Sequence, residues 1–142
     1  MIVLDVNILL YAYDAASPHH AVAASWLERT VSSGELVGLP WQTITAFLRI
    51  STNPRAMSRR LLPEEAVETV SEWLHQPNIR ILEPTGDHWT VLSRMILEGQ
   101  TSGPLVTDAG LAAITIEYGG VLQTTDRDFA RFPGLRWTNP LA

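Results

Sequence analysis

The chain has 142 residues, 46% of them hydrophobic, with no cysteine and a formal net charge of −5. These values fit one compact domain that can bury a core, and the lack of cysteine excludes disulfides, thiolate metal ligands and a cysteine nucleophile. All ten basic residues are arginine, which excludes any mechanism that requires a lysine, and the acidic balance argues against binding nucleic acid through bulk electrostatics alone.

The start of the chain carries no recognisable targeting signal. Residues 1–5 lack the basic start and the long apolar core of a signal peptide. No apolar run approaches the roughly 20 residues that a membrane helix needs. We therefore expect a single soluble domain over residues 1–142, without membrane contact. Because cysteine is absent, a reducing cytoplasm is the expected compartment.

The first half of the chain alternates short apolar runs with amphipathic segments. Ile2–Leu4 has the β-branched, apolar composition of a buried strand and ends on Asp5. The next segment predicts a helix with Asn7 as its N-cap. Beyond it we predict a helix over 19–31, a strand over 36–39, a helix that Pro40 opens and that runs to Ile50, and a helix that Pro63 opens and Pro77 closes.

The second half continues this alternation. We predict a strand over 79–82, a helix over 89–97, a late helix that ends at Gly119-Gly120, a strand at Val121-Leu122 and a short final strand within 132–137. Four tryptophans fall on or beside apolar helical stripes, which favours core or dimer-interface packing over base stacking for Trp26, Trp41, Trp73 and Trp89. Trp137 in the tail has no assigned role. The order of strands and helices predicts a parallel sheet flanked by helices.

Acidic residues stand at the ends of several of these elements. Asp5 ends the first strand, Asp108 is predicted just before the late helix and Asp126 just after the strand that follows it, with Asp128 two residues further on. A parallel sheet gathers its ligands at such ends. Acids that converge there repel one another unless a cation neutralises them, and hard oxygen ligands select Mg²⁺ or Mn²⁺ over zinc. The alternative interpretation is that these acids are only helix-cap and turn residues.

A divalent cation held by such acids supports hydrolysis of a phosphodiester without a protein nucleophile. The ion lowers the pKa of a bound water and offsets charge on the phosphorus centre. Receiver domains and haloacid-dehalogenase-like phosphatases also gather aspartates around magnesium, but they need a lysine near the phosphoryl group. The absence of lysine therefore argues against both classes.

Four segments carry a family resemblance: D-V-N at 5–7, F-L-R-I at 47–50, T-D-A at 107–109 and T-T-D-R-D-F at 124–129. Together they resemble the PIN-domain nucleases and, among these, the VapC ribonuclease toxins of type II toxin–antitoxin systems. The resemblance covers almost the whole chain. It implies a three-layer α/β/α fold with a central, mainly parallel sheet of four to five strands, and metal-dependent endonucleolytic cleavage of RNA.

The resemblance also implies residue roles and partners. It makes Asp5, Asp108 and Asp126 the catalytic metal ligands for Mg²⁺ or Mn²⁺, with Asp128 as a further acid of the metal site. Thr124 and Asn7 are implied as supporting polar residues. The implied partners are an RNA substrate, with tRNA and rRNA as candidates, a second copy of the chain in a homodimer, and an antitoxin whose C-terminal segment lies over the active site.

The chain departs from the family pattern at one position. The family's remaining acid, a glutamate in the helix after the second strand, is expected within residues 41–49, where this chain has no Asp or Glu. The two candidate positions, Gln42 and Ala46, share a helix face and carry no charge. Gln42 supplies an amide oxygen at most. Two interpretations follow: an active ribonuclease with fewer carboxylates, or a weakly active or non-catalytic PIN-like binding module that keeps the dimer and antitoxin contacts.

Arg49, on the same predicted helix, is the one basic residue that we place near the site. A guanidinium there is expected either to neutralise phosphate or to pair with an acid such as Asp5.

Overall fold

The computed structural model describes residues 1–142, the whole of the chain. Pairs of helices separate its first four strands. The strands are β1 (Ile2–Leu4), β2 (Val37–Pro40), β3 (Ile79–Leu82), β4 (Val121–Gln123) and β5 (Trp137–Thr138). The helices are α1 (Val6–Tyr13), α2 (His20–Ser32), α3 (Trp41–Ser51), α4 (Pro63–His75), α5 (His88–Glu98) and α6 (Leu105–Glu117), and a short 3₁₀ helix spans Arg127–Arg131. None of the helices has both the length and the hydropathy that crossing a bilayer requires.

The five strands form one sheet in the order β3-β2-β1-β4-β5. Every neighbouring pair is parallel, so the predicted three-layer α/β/α fold with a parallel sheet of four to five strands is confirmed. The chain leaves the central strand β1 to one side for β2 and β3, and reaches the other side with β4 and β5. The strand order therefore reverses between β1 and β4, and parallel sheets form a ligand crevice at the carboxyl ends of such strands.

The core is divided between the two faces of the sheet. Successive side chains of a strand point to opposite faces, and Val3 and Leu4 accordingly belong to two different buried clusters. The Val3 cluster packs α6, with Leu122 and Phe129, against one face. The Leu4 cluster packs α1, α3 and α4 against the other. Helices thus cover both faces of the sheet, which makes the strand ends the first place to look for a functional site.

Helix α6 is buried around most of its circumference, which is unusual for a helix in a small domain. Ala109 and all five residues at 111–115 are buried. Neighbours therefore hold this helix on almost all sides. An acid in its first turn is consequently carried by a rigid element.

Two predicted element boundaries were wrong. Asp108 lies inside the first turn of α6 and not before it, because the helix already begins at Leu105. Pro104 precedes it with φ −60° and ψ −24°, and its fixed φ is suited to a helix start. Asn7 does not cap α1. Asp5 caps it, with extended backbone and with Oδ1 accepting the N–H of Val6 at 2.8 Å.

Candidate active site

A single buried hydroxyl links the two acids that follow β1 and β4. Thr124 is fully buried and donates its hydroxyl proton to Oδ2 of Asp5 at 2.7 Å. Its oxygen also accepts the backbone N–H of Asp126 at 3.0 Å. A hydroxyl carries one proton and two lone pairs, so it makes both bonds at once. Because Thr124 directly follows β4, which pairs with β1, the sheet register sets the separation of the two acids.

Both strand-end acids also act as caps. Asp5 accepts from Val6 at the start of α1, and Oδ1 of Asp126 accepts the backbone N–H of Asp128 at 2.8 Å, which caps the 3₁₀ helix. An ionised carboxylate has about four acceptor positions. Each acid therefore keeps lone pairs for another ligand, and capping and metal binding are compatible at these positions.

The surroundings of Asp108 disfavour its ionised form. Burial, together with the nearby negative charges of Asp126, Asp5 and Asp128, raises the pKa of Asp108 to about 6, and the positive charge of Arg131 partly opposes this. The four predicted acids are therefore close enough to interact. The pKa of Asp5 is raised as well, mainly by burial, against the lowering effect of its hydrogen bonds to Thr124 and Val6.

The acids are neighbours, but they do not form a closed coordination sphere. No three Asp, Glu or His side chains lie close enough together to hold a metal ion as they stand. Their chemistry nevertheless fits a hard divalent cation, because all donors are oxygens and because three neighbouring negative charges add to the effect of burial in raising the pKa of Asp108. A second observation supports this fit. Oδ1 of Asn7 is buried without a hydrogen-bond partner, while its Nδ2 donates to Oγ1 of Thr125 at 2.9 Å.

Gln42 ties the first turn of α3 to the first turn of α6. Its Nε2 donates to the carbonyl oxygen of Thr107, the residue before Asp108, at 3.0 Å. Gly110 leaves room for this amide, since a Cβ at that position would stand 3.1 Å from Oε1 of Gln42. An ionised glutamate could not replace this contact, because it has no proton to donate. Gln42 thus lies beside the acids and positions one of them through the backbone.

The predicted pairing of Arg49 with an acid is wrong. Arg49 is exposed, and the single ion pair of the chain joins His88 to Glu117 at 2.6 Å. None of the ten arginines pairs with a carboxylate. A contact between Arg49 and phosphate stays a prediction. Ala46 is half-buried one turn from Gln42 and adds no polar group to the site.

Two residues of the site were missed in the sequence. Thr43 is buried and donates its hydroxyl to the carbonyl oxygen of Leu4 at 2.9 Å, which fixes the end of β1 just before Asp5. A threonine in an amphipathic helix gives no signal of such a contact. Arg131 offsets the charge around Asp108, and its spacing of three from Asp128 along a helical segment was a usable signal.

A concave, mainly apolar surface lies away from these acids. A cavity of about 340 Å³, which we call the apolar groove, is formed mainly by α1, α2, α4 and the sheet. Ten of its thirteen lining residues are hydrophobic, and Glu28 and Glu72 are its charged members. None of the four aspartates lines it, so we do not assign the chemistry to this groove.

Comparison with known proteins gives consistent matches over the full chain. The family model of the PIN domain matches residues 2–135. Ribonuclease VapC37 of Mycobacterium tuberculosis is 37% identical over 142 residues, which are 100% of this chain and 99% of the relative. Ribonuclease VapC33 of the same species is 38% identical over 141 residues, 99% of each chain. The crystal structure of VapBC2 from Rickettsia felis, bound to a promoter DNA fragment, matches with a TM-score of 0.71 at 18% identity over 98% of both chains, which supports the fold alone.

Asp108→Asn should stabilise the metal-free protein at neutral pH. Folding raises the pKa of Asp108 from 3.8 to about 6, so between these values the folded state binds more protons than the unfolded state, and the free energy of unfolding falls as pH rises through this window. The Asp108→Asn variant does not lose stability in this window, because an asparagine side chain does not ionise. Its Tm in EDTA, measured by differential scanning fluorimetry, should exceed that of the wild type by more at about pH 7.5 than at about pH 4.5.

Asp87→Asn is the matched control, because Asp87 is exposed and its side chain makes no capping hydrogen bond. Its Tm difference from the wild type should not grow with pH. A difference for Asp108→Asn that is the same at both pH values would contradict the proposed repulsion among the acids.

Gln42→Glu should weaken the metal-free protein and strengthen its response to metal. The new carboxylate cannot donate to Thr107 and adds negative charge beside Asp108, so Tm in EDTA should fall by about 3 to 5 °C for a loss of about 1 kcal/mol. The carboxylate is also a hard anionic ligand, so calorimetric titration with Mg²⁺ or Mn²⁺ should show tighter binding.

Ala46→Glu is the control for charge alone, since it adds a carboxylate to the same helix and removes no hydrogen bond. Equal losses of Tm in both variants would show that the Gln42 hydrogen bond does not stabilise the site. Unchanged metal affinity in both would exclude α3 from the metal centre.

Proposed function

Because this chain belongs to the PIN-domain family and, as its sequence resemblance predicted, to the VapC ribonucleases within it, we propose that it is a Mg²⁺- or Mn²⁺-dependent endoribonuclease, the toxin of a toxin–antitoxin pair. Its ribonuclease character follows from the family. Metal dependence, the catalytic aspartates and the partners are the further parts of the proposal. The observation that supports them is that hydrogen bonds through Thr124 connect Asp5 and Asp126, close to Asp108, whose pKa is raised.

We assign the metal-binding role to Asp5, Asp108 and Asp126, with Asp128 as an exposed additional acid. A bound divalent cation would supply a more acidic water and neutralise negative charge on the phosphate. This neutralisation matters here because the chain has a net charge of −5, and a polyanionic substrate is otherwise repelled by the acids themselves.

The protein's own contribution is to hold these acids against their mutual repulsion. Thr124 fixes Asp5 relative to Asp126 from a fully buried position. Gln42 and the buried body of α6 fix Asp108. Positioning of this kind reduces the reorganisation that catalysis requires. With its pKa of about 6, Asp108 is mainly ionised at neutral pH and therefore available as a ligand.

The second candidate function is a weakly active or non-catalytic PIN-like binding module. The observation in its favour is that residues 41–49, where the family pattern has an acid, contain neither Asp nor Glu, because one fewer carboxylate lowers the attraction for a divalent ion. Such a module would keep the dimer and antitoxin contacts while cleaving RNA poorly. The two candidates differ in one measurable property, the metal-dependent cleavage of RNA by the wild-type chain.

Asp5→Asn, Asp108→Asn and Asp126→Asn should each lower RNA cleavage by about 100-fold or more, which corresponds to the several kcal/mol of charge stabilisation that a correctly held metal supplies. The measurement is cleavage of purified tRNA and rRNA with Mg²⁺, Mn²⁺ or EDTA, with circular dichroism to verify folding. Asp87→Asn, an exposed acid outside the site, should cleave like the wild type.

Undiminished cleavage in all three site variants would refute the assignment of the aspartates. A wild-type chain that is folded but inactive with either metal would favour the binding module.

We also propose that, besides the C-terminal segment expected over the active site, another part of the antitoxin occupies the apolar groove. Its lining is mostly hydrophobic with Glu28 and Glu72 as the charged residues, so it suits a segment of an antitoxin that carries apolar side chains and a basic residue. Formation of a homodimer stays a separate prediction.

Ala24→Glu should prevent capture of the antitoxin. Ala24 lines the groove, and a carboxylate there adds like charge and removes apolar contact. The test is co-purification with a candidate antitoxin, the product of any short open reading frame found next to the gene for this chain. Ala21→Glu, on the exposed side of the same helix, should leave capture intact. Equal capture by both variants would exclude the groove as the docking site, and RNA cleavage should persist in both.

A further inference from the structure

A second, polar cavity adjoins the carboxylates. Its volume is about 320 Å³, and we call it the nucleotide pocket; it is lined by Thr125, Arg127, Trp137, Thr138, Asn139 and Ala142. Thr125 immediately precedes Asp126, and its hydroxyl accepts the amide proton of Asn7. The pocket therefore begins where the acid site ends, at the carboxyl ends of β4 and β5.

The pocket contains a guanidinium that no carboxylate neutralises. Arg127 stands between Asp126 and Asp128 in the sequence, yet it is exposed and forms no ion pair, since the single ion pair of the chain joins His88 to Glu117. An unpaired guanidinium beside a group of acids is available to an anionic ligand, and its planar donors match the oxygens of a phosphate.

The pocket also contains an aromatic ring on a rigid support. Trp137 lies on β5, where it pairs with Leu122, and it packs against a core cluster while remaining partly exposed. The indole N–H of Trp41 and that of Trp73 are used within the chain, whereas that of Trp137 makes no such bond. A fixed ring of this kind provides a surface on which a nucleobase stacks.

The remaining lining residues offer neutral hydrogen-bonding groups. Oδ1 of Asn139 accepts the backbone N–H of Leu141 at 2.9 Å, which holds the carboxamide and leaves its NH₂ group free. Thr138 is exposed and adds a hydroxyl. The cavity volume lies at the lower end of the roughly 300 to 1,000 Å³ found for small-ligand sites. The pocket is therefore suited to a ligand of the size of one nucleotide.

We propose that the nucleotide pocket is a subsite for single-stranded RNA, which binds one nucleotide next to the phosphate that the aspartates address. Arg127 contacts a phosphate of that nucleotide and Trp137 stacks on its base. The inference rests on the proposed ribonuclease function for the identity of the strand. The contrast with the apolar groove supports RNA over a protein segment, because the groove has two glutamates and no cation, while the pocket has an arginine and no acid side chain.

Binding of a fluorescein-labelled single-stranded RNA pentamer, followed by anisotropy in EDTA, tests the subsite without cleavage. Arg127→Gln and Trp137→Leu should each weaken binding by about tenfold. Arg127→Gln should also reduce the slope of log affinity against log salt by about 0.7, as expected for the loss of one phosphate contact on a single strand. Trp137→Phe, which keeps an aromatic ring and most of the packing, should restore most of the affinity.

Matched controls on α5 are Arg94→Gln and Trp89→Leu, which remove the same groups from exposed positions outside the pocket. Both should bind RNA like the wild type. Equal losses in control and pocket variants, or no loss in the pocket variants, would overturn the proposal. So would 5′-AMP that displaces the pentamer at the same concentration as unlabelled pentamer, because the pocket would then serve a free nucleotide.

Cleavage kinetics separate this proposal from the function on which it rests. With Mg²⁺ or Mn²⁺, the pocket variants should raise KM with kcat nearly unchanged. A wild type that cleaves RNA while pocket variants show normal KM and binding would refute the pocket and leave the ribonuclease intact. A wild type that binds the pentamer through Arg127 and Trp137 but cleaves no RNA would refute the ribonuclease and leave the subsite intact. Pocket variants that lose antitoxin capture but keep RNA affinity would assign the surface to the antitoxin and overturn the proposal.

Discussion

The hydroxyl of Thr124 holds two carboxylates in a fixed relation, and the rest of the site is built around that contact. It donates to Asp5 and accepts from the backbone of Asp126, so the ends of β1 and β4 cannot move apart without breaking a buried hydrogen bond. Such a bond is costly to leave unmade in the interior. The constraint works against electrostatics, since it keeps like charges together. Burial raises the pKa of Asp108, and the nearby charges of Asp126, Asp5 and Asp128 add to this effect.

The packing of the domain holds the acids close together despite their mutual repulsion. Helix α6 carries Asp108 in its first turn and is itself buried at residues 111–115. A helix held on almost all sides cannot move outward to relieve the repulsion, because that motion would disrupt a core cluster of eleven buried residues. Gln42 adds a local tie to the same turn. The packed core thus keeps the negatively charged acids in place at the sheet edge.

Three surfaces of the molecule carry different charges, and each suits a different kind of ligand. The four aspartates, which follow β1 and β4 or lie in the first turn of α6, repel phosphate unless a cation is bound. The nucleotide pocket beside them contains Arg127 without a carboxylate partner, which offers a phosphate a favourable contact next to an otherwise acidic edge. The apolar groove, with Glu28 and Glu72, is unsuited to RNA and suited to a protein segment. An acidic protein can therefore bind RNA by local complementarity and not by its net charge.

The sequence by itself determined the α/β fold, because alternating apolar runs and amphipathic segments are local patterns that a chain carries wherever it folds. It also placed Asp5 and Asp126 at strand ends, since Asp5 directly follows an apolar run and Asp126 follows Val121-Leu122 after three polar residues. The tertiary structure alone decided the contacts between distant segments: Gln42 with Thr107, 65 positions apart, and Thr124 with Asp5, 119 positions apart.

The same distinction explains the errors. The cap of α1 depended on whether Asp5 or Asn7 reached the free N–H groups, and the start of α6 depended on the backbone at Pro104. The predicted partner of Arg49 depended on how its helix is oriented. The position of Trp137 in the nucleotide pocket became visible only when β5 was placed beside β4. Local periodicity specifies which face of an element is buried, but the packing of elements decides which polar groups meet, because hydrogen bonds depend on distances of a few tenths of an ångström that no local pattern contains.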